Sequence, residues 1–273
     1  MKYSVLMSVY KNDSPDFLKV ALESIYDKQT KKPDEVVVVF DGPISDELHR
    51  VLDAFQIGKE EVVKYFPQEE NKGLGEALRI GSEKCSGDYI FRMDSDDISD
   101  PKRFEIQSNF VENHPEIDVL GTDISEFNND INEPNLRKRI CPANHNDIVK
   151  MGKKRNPMNH VTVCIKKDSL YKAGGYLPLR YVEDYYLWLR MMKCGLKLAN
   201  INVTTVYVRV GNGFATRRGN KEYINNWQVL QDYMLNNGMI TKKEAKHNMF
   251  YIKLFIKTPV WIKKILYSTI LRK

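Results

Sequence analysis

The sequence predicts an α/β fold on a mostly parallel central sheet flanked by helices, and three observations predict it. Short apolar runs rich in β-formers alternate with stretches of helical periodicity, the order expected of strands joined by crossover helices. One run, EVVVVFDG (35–42), is apolar at consecutive positions, as strands covered on both faces are. Three runs stop abruptly at polar residues: Tyr10-Lys11-Asn12, Asp41-Gly42 and Asp94-Ser95-Asp96. In a parallel sheet those three ends share one edge.

The elements follow in order. YSVLMSVY (3–10) is the first strand. Ser14 then caps a helix that begins at Pro15, with Phe17, Leu18, Ala21, Leu22 and Ile25 at helical spacing. EVVVVFDG is the second strand, 45–56 a helix, EVVKYF (61–66) a strand, GLGEALRIGSEKC a helix and GDYIFRMD a strand. PKRFEIQSNFVENHP reads as a helix capped by Asp100. The pattern is less regular beyond it. DVLGTDISEF and HVTVCIKKDSLYKAGGY contain strands, and VEDYYLWLRMMKCG is a helix ending at Gly195. LANINVTTVYVRVG is a strand, GNGFATRRGNK (211–221) a loop, and from about residue 222 the chain reads as helical to its end. The expected organisation is one domain over 1–220, in halves 1–100 and 101–220, followed by a helical tail over 221–273.

The 273 residues suffice for a full core, and the net charge of +6 is modest. Cys85, Cys141, Cys164 and Cys194 are scattered with no CxxC pair, which speaks against a cysteine zinc site or a dithiol motif and fits a reducing compartment. No uncharged apolar run approaches the roughly 18–20 residues of a membrane span, and no secretory leader is expected.

The stretch IFRMDSDDISDP (90–101) carries Asp94, Asp96, Asp97 and Asp100 directly after an apolar strand. Packing a strand end does not require that much like charge. In an open α/β sheet, ligands bind beyond the carboxyl ends of the strands. The edge there would present the ring of Tyr10, the lone carboxylate of Asp41 and the pair Asp94/Asp96. A ring stacks on a planar base, and a lone carboxylate accepts hydrogen bonds from base or ribose. Paired carboxylates hold a divalent cation that also takes diphosphate oxygens. Each piece alone is an ordinary turn or packing residue; together they describe a nucleotide-diphosphate site.

The chain resembles the family 2 glycosyltransferases, which have the GT-A nucleotide-sugar-binding fold. The resemblance rests on SVLMSVYKND, VVVVFDG and ENKGLGEALRIGSEKCSGDYIFRMDSDDISDPKRFE. It continues through NPMNHVTVCIKKDSLYKAGGY, VEDYYLWLRM and RRGNKEY, which are similar to the branch building bacterial surface polysaccharides of the amylovoran and O-antigen or capsule type. It implies an inverting transfer of a hexose from a UDP-sugar to a saccharide acceptor, with the nucleotide bound by 1–100 and the acceptor by 101–220. Tyr10 would lie against the uracil and Asp41 would hydrogen-bond it. Asn71, Lys72 and Gly73 match the family's segment beside the base. Asp94, Ser95 and Asp96 match its Asp-x-Asp, with Asp94 towards ribose and metal and Asp96 on a Mn2+ or Mg2+ ion. Asp97 matches a frequent third acid.

Glu183-Asp184 opens a helix. From the residues alone, helix-dipole stabilisation and a general base for the acceptor hydroxyl account for the pair equally well. The resemblance makes Asp184 the base and Glu183 its neighbour. His160 matches a residue near the reaction centre, a phosphate or acceptor contact. Arg217 and Arg218 suit a diphosphate through charge-assisted bonds on a closing loop.

The stretch KKEAKHNMFYIKLFIKTPVWIKKILYSTILRK (242–273) has one acid, Glu244, among many lysines and aromatic residues, with Pro259 expected to break it into two helices. Packing on the domain and contact with anionic lipid both fit, and the branch's lipid-diphosphate-linked acceptors favour lipid. The expected location is cytoplasmic, peripheral on the inner face of the bacterial inner membrane, with no nucleic acid as partner. Two other classes were weighed. A nucleotidyltransferase acting on sugar phosphates would carry a glycine-rich basic loop near its start, and SVLMSVYKNDSPD has none. A non-catalytic glycan- or lipid-binding relative would have no need of Asp94, Asp96 and Asp184. A dinucleotide oxidoreductase is weaker still, since Gly73-Leu74-Gly75 does not directly follow a strand.

Overall fold

The computed structural model describes residues 1–210 and 221–258. Arg217, Arg218 and residues 259–273, Pro259 among them, lie outside the described residues. The chain opens with β1 (Tyr3–Val9), α1 (Pro15–Ile25), β2 (Glu35–Phe40), α2 (Asp46–Gln56), β3 (Val63–Pro67), α3 (Leu74–Lys84) and β4 (Tyr89–Met93). It continues with β5 (Ile98–Ser99), α4 (Arg103–Asn113), β6 (Val119–Phe127), β7 (Arg137–Arg139) and α5 (His145–Gly152). A 3-10 turn (His160–Thr162) leads to β8 (Cys164–Lys166), α6 (Lys167–Lys172), α7 (Glu183–Lys193), β9 (Leu198–Arg209), α8 (Lys221–Asn236) and α9 (Lys242–Lys257).

The strands form one sheet in the order β3-β2-β1-β4-β8-β6-β9-β5, with β7 paired to β6. The first four are mutually parallel. β8 runs antiparallel to both β4 and β6, and β6 and β9 are parallel. The chain builds outward from β1 to β3 and then crosses to β4 on the other side of β1. The crevice between β1 and β4 is therefore the switch point of the sheet, where a ligand site is expected.

Sheet periodicity sorts the core. Val5, Met7 and Val9 of β1 face Leu18, Leu22 and Ile25 of α1 and the apolar side of α2. Leu6, with Val37 and Val39 of β2, faces Ala77 and Leu78 of α3 and, further along, Trp188 and Met191 of α7. These side chains are 0 or 1% exposed, and each buried Leu, Ile or Val contributes about 1.5–3 kcal/mol. The run Val36–Val39 is buried at every position, which explains its lack of alternation. A third cluster joins Leu189 of α7 to Trp227, Leu230 and Met234 of α8 and to Ala245 and Met249 of α9.

Two expectations change. Asp100 is not the N-cap of α4; Lys102 holds that position, and Asp100 Oδ1 accepts from Lys102 N (2.9 Å) in the turn ahead of the helix. The helical tail breaks before Pro259. α8 ends at Asn236, and Thr241 starts α9 with a capping box: Thr241 Oγ1 accepts from Glu244 N (3.2 Å) and Glu244 Oε2 from Thr241 N (2.7 Å). The stretch TKKE (241–244) carried that signal.

Candidate active site

The structure brings the three strand ends to one edge. Asp41, directly after β2, is 6% exposed and clasps the segment before α3: its carboxylate accepts from Lys72 N (2.7 Å) and Gly73 N (3.0 and 3.1 Å). Asn71 Nδ2 donates to Asp41 O (3.0 Å). A carboxylate offers about four lone-pair sites, so Asp41 retains acceptor capacity while it shapes the loop. Gly42 makes the fit possible, because a Cβ there would stand 2.6 Å from Asn71 N. Asn71 and Lys72 remain exposed on this edge, and Tyr10 is half-buried beside it.

Asp13 ties β1 to β4. Its Oδ2 accepts from Tyr10 N (3.1 Å) and from Ser95 Oγ (2.7 Å). Burial, with Asp96 and Asp94 adding, pushes its carboxyl up to about 6 against the two hydrogen bonds. Asp94, Asp96 and Asp97 bring one carboxylate oxygen each within 4.8 Å of one another. Asp94 is ion-paired with the buried Arg92. Asp97 is 2% exposed and accepts from Arg209 N (2.9 Å). The Arg209 guanidinium stacks on Phe17 (3.8 Å) and Phe127 (4.5 Å), and its Nε donates to Asp96 O (3.2 Å). Crowding by protein atoms and then the Asp94 charge push Asp96 up to about 6, although its surface stays open. Asp97 is raised well above the carboxylate range by burial, then by Asp94 and Asp96. An all-oxygen donor set whose members resist ionising together fits a hard divalent cation, whose charge would relieve the repulsion.

Glu183 and Asp184 occupy the first turn of α7, where the helix dipole favours carboxylates. Tyr181, just ahead, holds φ +72, a conformation that costs a bulky residue about 1–3 kcal/mol and turns the chain sharply into the helix. Asp184 Oδ2 accepts from Asn156 Nδ2 (2.5 Å) and Oδ1 from Tyr185 N (2.7 Å). Asn156 is itself fixed: its O accepts from Arg139 Nη2 (2.9 Å) and its Oδ1 from Met158 N (3.2 Å). Gly75 of α3 packs against Leu177 O and Glu183 Cβ, which sets α7 beside the Asn71–Gly73 loop. Buried Tyr176 joins the two sides, since its phenol feels Arg92 on one flank and Asp184 and Glu183 on the other. His160 Nε2 lies 3.0 Å from Tyr176 Oη, with Trp188 edge-on at 5.9 Å. Burial and then the Arg92 cation hold its pKa well below the usual range. The imidazole is therefore neutral and adds shape and hydrogen bonding rather than charge.

Arg103 underlies both sides. It is 0% exposed; Nη2 donates to Arg92 O (2.7 Å) and Val161 O (3.0 Å), and Nε to Gln107 Oε1 (3.0 Å). Gln107 Nε2 donates onward to Thr162 O (2.9 Å). Sequence reading missed Asp13, Arg92, Asn156 and Arg209. Asp13 and Arg92 do stand within strand-end segments that the reading singled out, whereas Arg209 closes a strand with no motif of its own.

Comparisons with known proteins agree with this fold. A model described as glycosyl transferase family 2 matches residues 4–174. The amylovoran biosynthesis glycosyltransferase AmsE of Erwinia amylovora is 39% identical over 222 residues, 81% of each chain. A UDP-Gal:alpha-D-GlcNAc-diphosphoundecaprenol beta-1,3-galactosyltransferase of Escherichia coli is 38% identical over 222 residues, 81% of this chain and 79% of its own. S. aureus TarS 1-349, solved in complex with UDP-GlcNAc, matches with a TM-score of 0.70 at 16% identity, over 98% of this chain and 81% of that one. A Pyrobaculum calidifontis mannosyltransferase, in complex with GDP-Man and Mn2+, matches with a TM-score of 0.62 at 14% identity, over 95% and 70%. At such identities the structural likeness is one of fold. The chain belongs to glycosyl transferase family 2, with the GT-A fold that the resemblance implied. Its kinship with polysaccharide-building relatives bears out the branch as well.

Proposed function

We propose that the protein transfers a hexose, with inversion, from a UDP-sugar to a saccharide carried on a lipid diphosphate, in O-antigen or capsule assembly. The observation that carries this reading is the pairing of two sets of carboxylates. Asp94, Asp96 and Asp97 crowd the end of β4, and Asp184 is aimed by Asn156 from the first turn of α7. The galactosyltransferase relative supports the donor and acceptor classes, and the UDP-GlcNAc complex of TarS supports the nucleotide.

On this reading Tyr10 lies against the uracil, and Asp41 takes its hydrogen bond while bracing Asn71, Lys72 and Gly73. Asp94 and Asp96, with Asp97 behind them, would hold Mn2+ or Mg2+, which offsets the charge that gathers on departing UDP. Asp184 accepts the proton of the acceptor hydroxyl as its oxygen bonds the anomeric carbon. The bond from that carbon to the UDP oxygen breaks, and its electron pair leaves with UDP. Asp184→Asn is expected to abolish transfer while UDP affinity is kept; near-normal turnover by the folded variant would remove Asp184 from the role.

The described part of α9 supports a peripheral place on the cytoplasmic face of the inner membrane. Met249 and Ile252 pack inward, whereas Phe250, Tyr251 and Leu254 stand 61%, 54% and 52% exposed. Lys243, Lys246 and Lys253, also exposed, lie seven, four and three positions from Phe250, on the same side of the helix. Exposed apolar residues rimmed by lysines suit an anionic bilayer. Among the described residues no helix is long and apolar enough to cross a membrane.

A further inference from the structure

The transfer chemistry above makes no use of the cations in Gly152-Lys153-Lys154-Arg155-Asn156. Both ends of that segment are fastened to the first turn of α7. Tyr185 Oη donates to Gly152 O (2.6 Å), and Asn156 Nδ2 to Asp184 Oδ2 (2.5 Å). Four residues of extended chain span at most about 14 Å, so the three cations between the pins are confined to the surroundings of Asp184. Arg139 adds a fourth, because its Nη2 donates to Asn156 O (2.9 Å). Buried Cys141 lies within reach of both Arg139 and Arg155, whose charges oppose the rise of its thiol pKa. Lys154 and Arg155 are exposed, and Lys153 and Arg139 half-buried.

Among the described residues none of these four cations is in an ion pair. Glu244 lies near Lys153 and Lys154, but its carboxylate is taken up in capping Thr241 (2.7 and 2.8 Å). Four like charges gathered beside a reaction centre, without carboxylates of their own, form a site for a compact polyanion. Guanidinium forks and ammonium groups are the donors that phosphate oxygens take.

We propose that Arg139, Lys153, Lys154 and Arg155 bind the diphosphate of the acceptor. This rests on the acceptor class and base assigned above. The hydroxyl under attack and the diphosphate are separated by one sugar ring, so the groups that hold the diphosphate must flank the base. The segment does so through its two pins on α7. The apolar face of α9 lies on the next element, since Asn248 Nδ2 donates to Lys153 O (2.8 Å). Lipid emerging from the diphosphate thus meets that helix.

The test compares the full chain with Lys153→Ala/Lys154→Ala/Arg155→Ala, leaving Arg139 to hold Asn156. The acceptor is a GlcNAc-diphosphate bearing a short alkyl chain in neutral detergent. The acceptor KM is expected to rise about tenfold or more, with kcat and UDP affinity held. Lys153→Arg/Lys154→Arg, which keeps the charge, should restore a low KM. An unchanged KM overturns the proposal. If binding to anionic vesicles then falls, the cations serve lipid headgroups; if it does not, they form a solvated surface. Asp184→Asn that keeps its turnover rejects the base and leaves the KM comparison standing. Wild-type protein that uses no diphosphate-linked acceptor rejects the acceptor class, and this site with it.

Discussion

Gly42 and Gly73 offer a controlled pair of substitutions, because their backbones are alike and their surroundings are not. Both hold positive φ, +82 and +88. A Cβ on Gly73 would meet nothing within 4 Å, whereas one on Gly42 would stand 2.6 Å from Asn71 N and 3.0 Å from Glu70 C. Gly73→Ala should therefore cost backbone strain alone, about 1–3 kcal/mol. Gly42→Ala carries similar strain plus a clash with main chain, which cannot swing aside as a side chain could. Overpacking of that kind adds roughly 1–3 kcal/mol. It would also push away Asn71 and the Lys72 and Gly73 amides that the Asp41 carboxylate accepts, so UDP affinity should fall with stability. Urea denaturation of the two variants, beside UDP titration, makes the comparison. Equal midpoints, or a larger loss in Gly73→Ala, would show that the 70–73 segment is not held against Gly42.

The acids at the β4 edge should give the metal-free protein a characteristic pH response. Asp13 and Asp96 are held at about 6, above their ordinary 3.8. The folded state thus keeps protons that the unfolded state has released, and stability falls as pH rises from about 4 through 6. Melting temperatures of wild type and Asp13→Asn/Asp96→Asn should diverge over that window; parallel curves would contradict it. Asp96→Asn should abolish the gain in UDP affinity on adding Mn2+, and calorimetry showing equal affinity with and without the ion in wild type would discard the metal assignment. Phe250→Ser/Tyr251→Ser/Leu254→Ser should release the protein from anionic vesicles without disturbing the buried face of α9. Unchanged flotation would leave that surface without a lipid role.

Most of the nucleotide half was legible because its signals are local. The runs that became β1 to β4 are short and apolar, and each ends at the residue that faces the site. What could not be read was which side chains meet across the sheet. Asp13 looked like a loop acid until it was found to join Tyr10 N to Ser95 Oγ. Asn156 lies 28 positions from the carboxylate it orients, and no periodicity links the two. The second half was harder for a topological reason. β8 and β5 reverse direction beside parallel neighbours, and β8 is only three residues long, too short to show alternation. The break between α8 and α9 was missed because apolar spacing continues through it, although the capping box at Thr241 is written in the sequence.

Arg103 gives the site a mechanical character. One guanidinium joins Arg92 O, at the strand that carries the acids, to Val161 O, in the turn that carries His160. Through Gln107 it reaches Thr162 O as well. Separating these walls would strand a buried cation whose hydrogen bonds no water could replace without opening the core. The floor beneath the two walls should accordingly be among the slowest regions to exchange its amide protons, slower than the edge loops at Asn71 and Asn156. Substrates then enter and leave by movement of the rim over a floor that stays rigid.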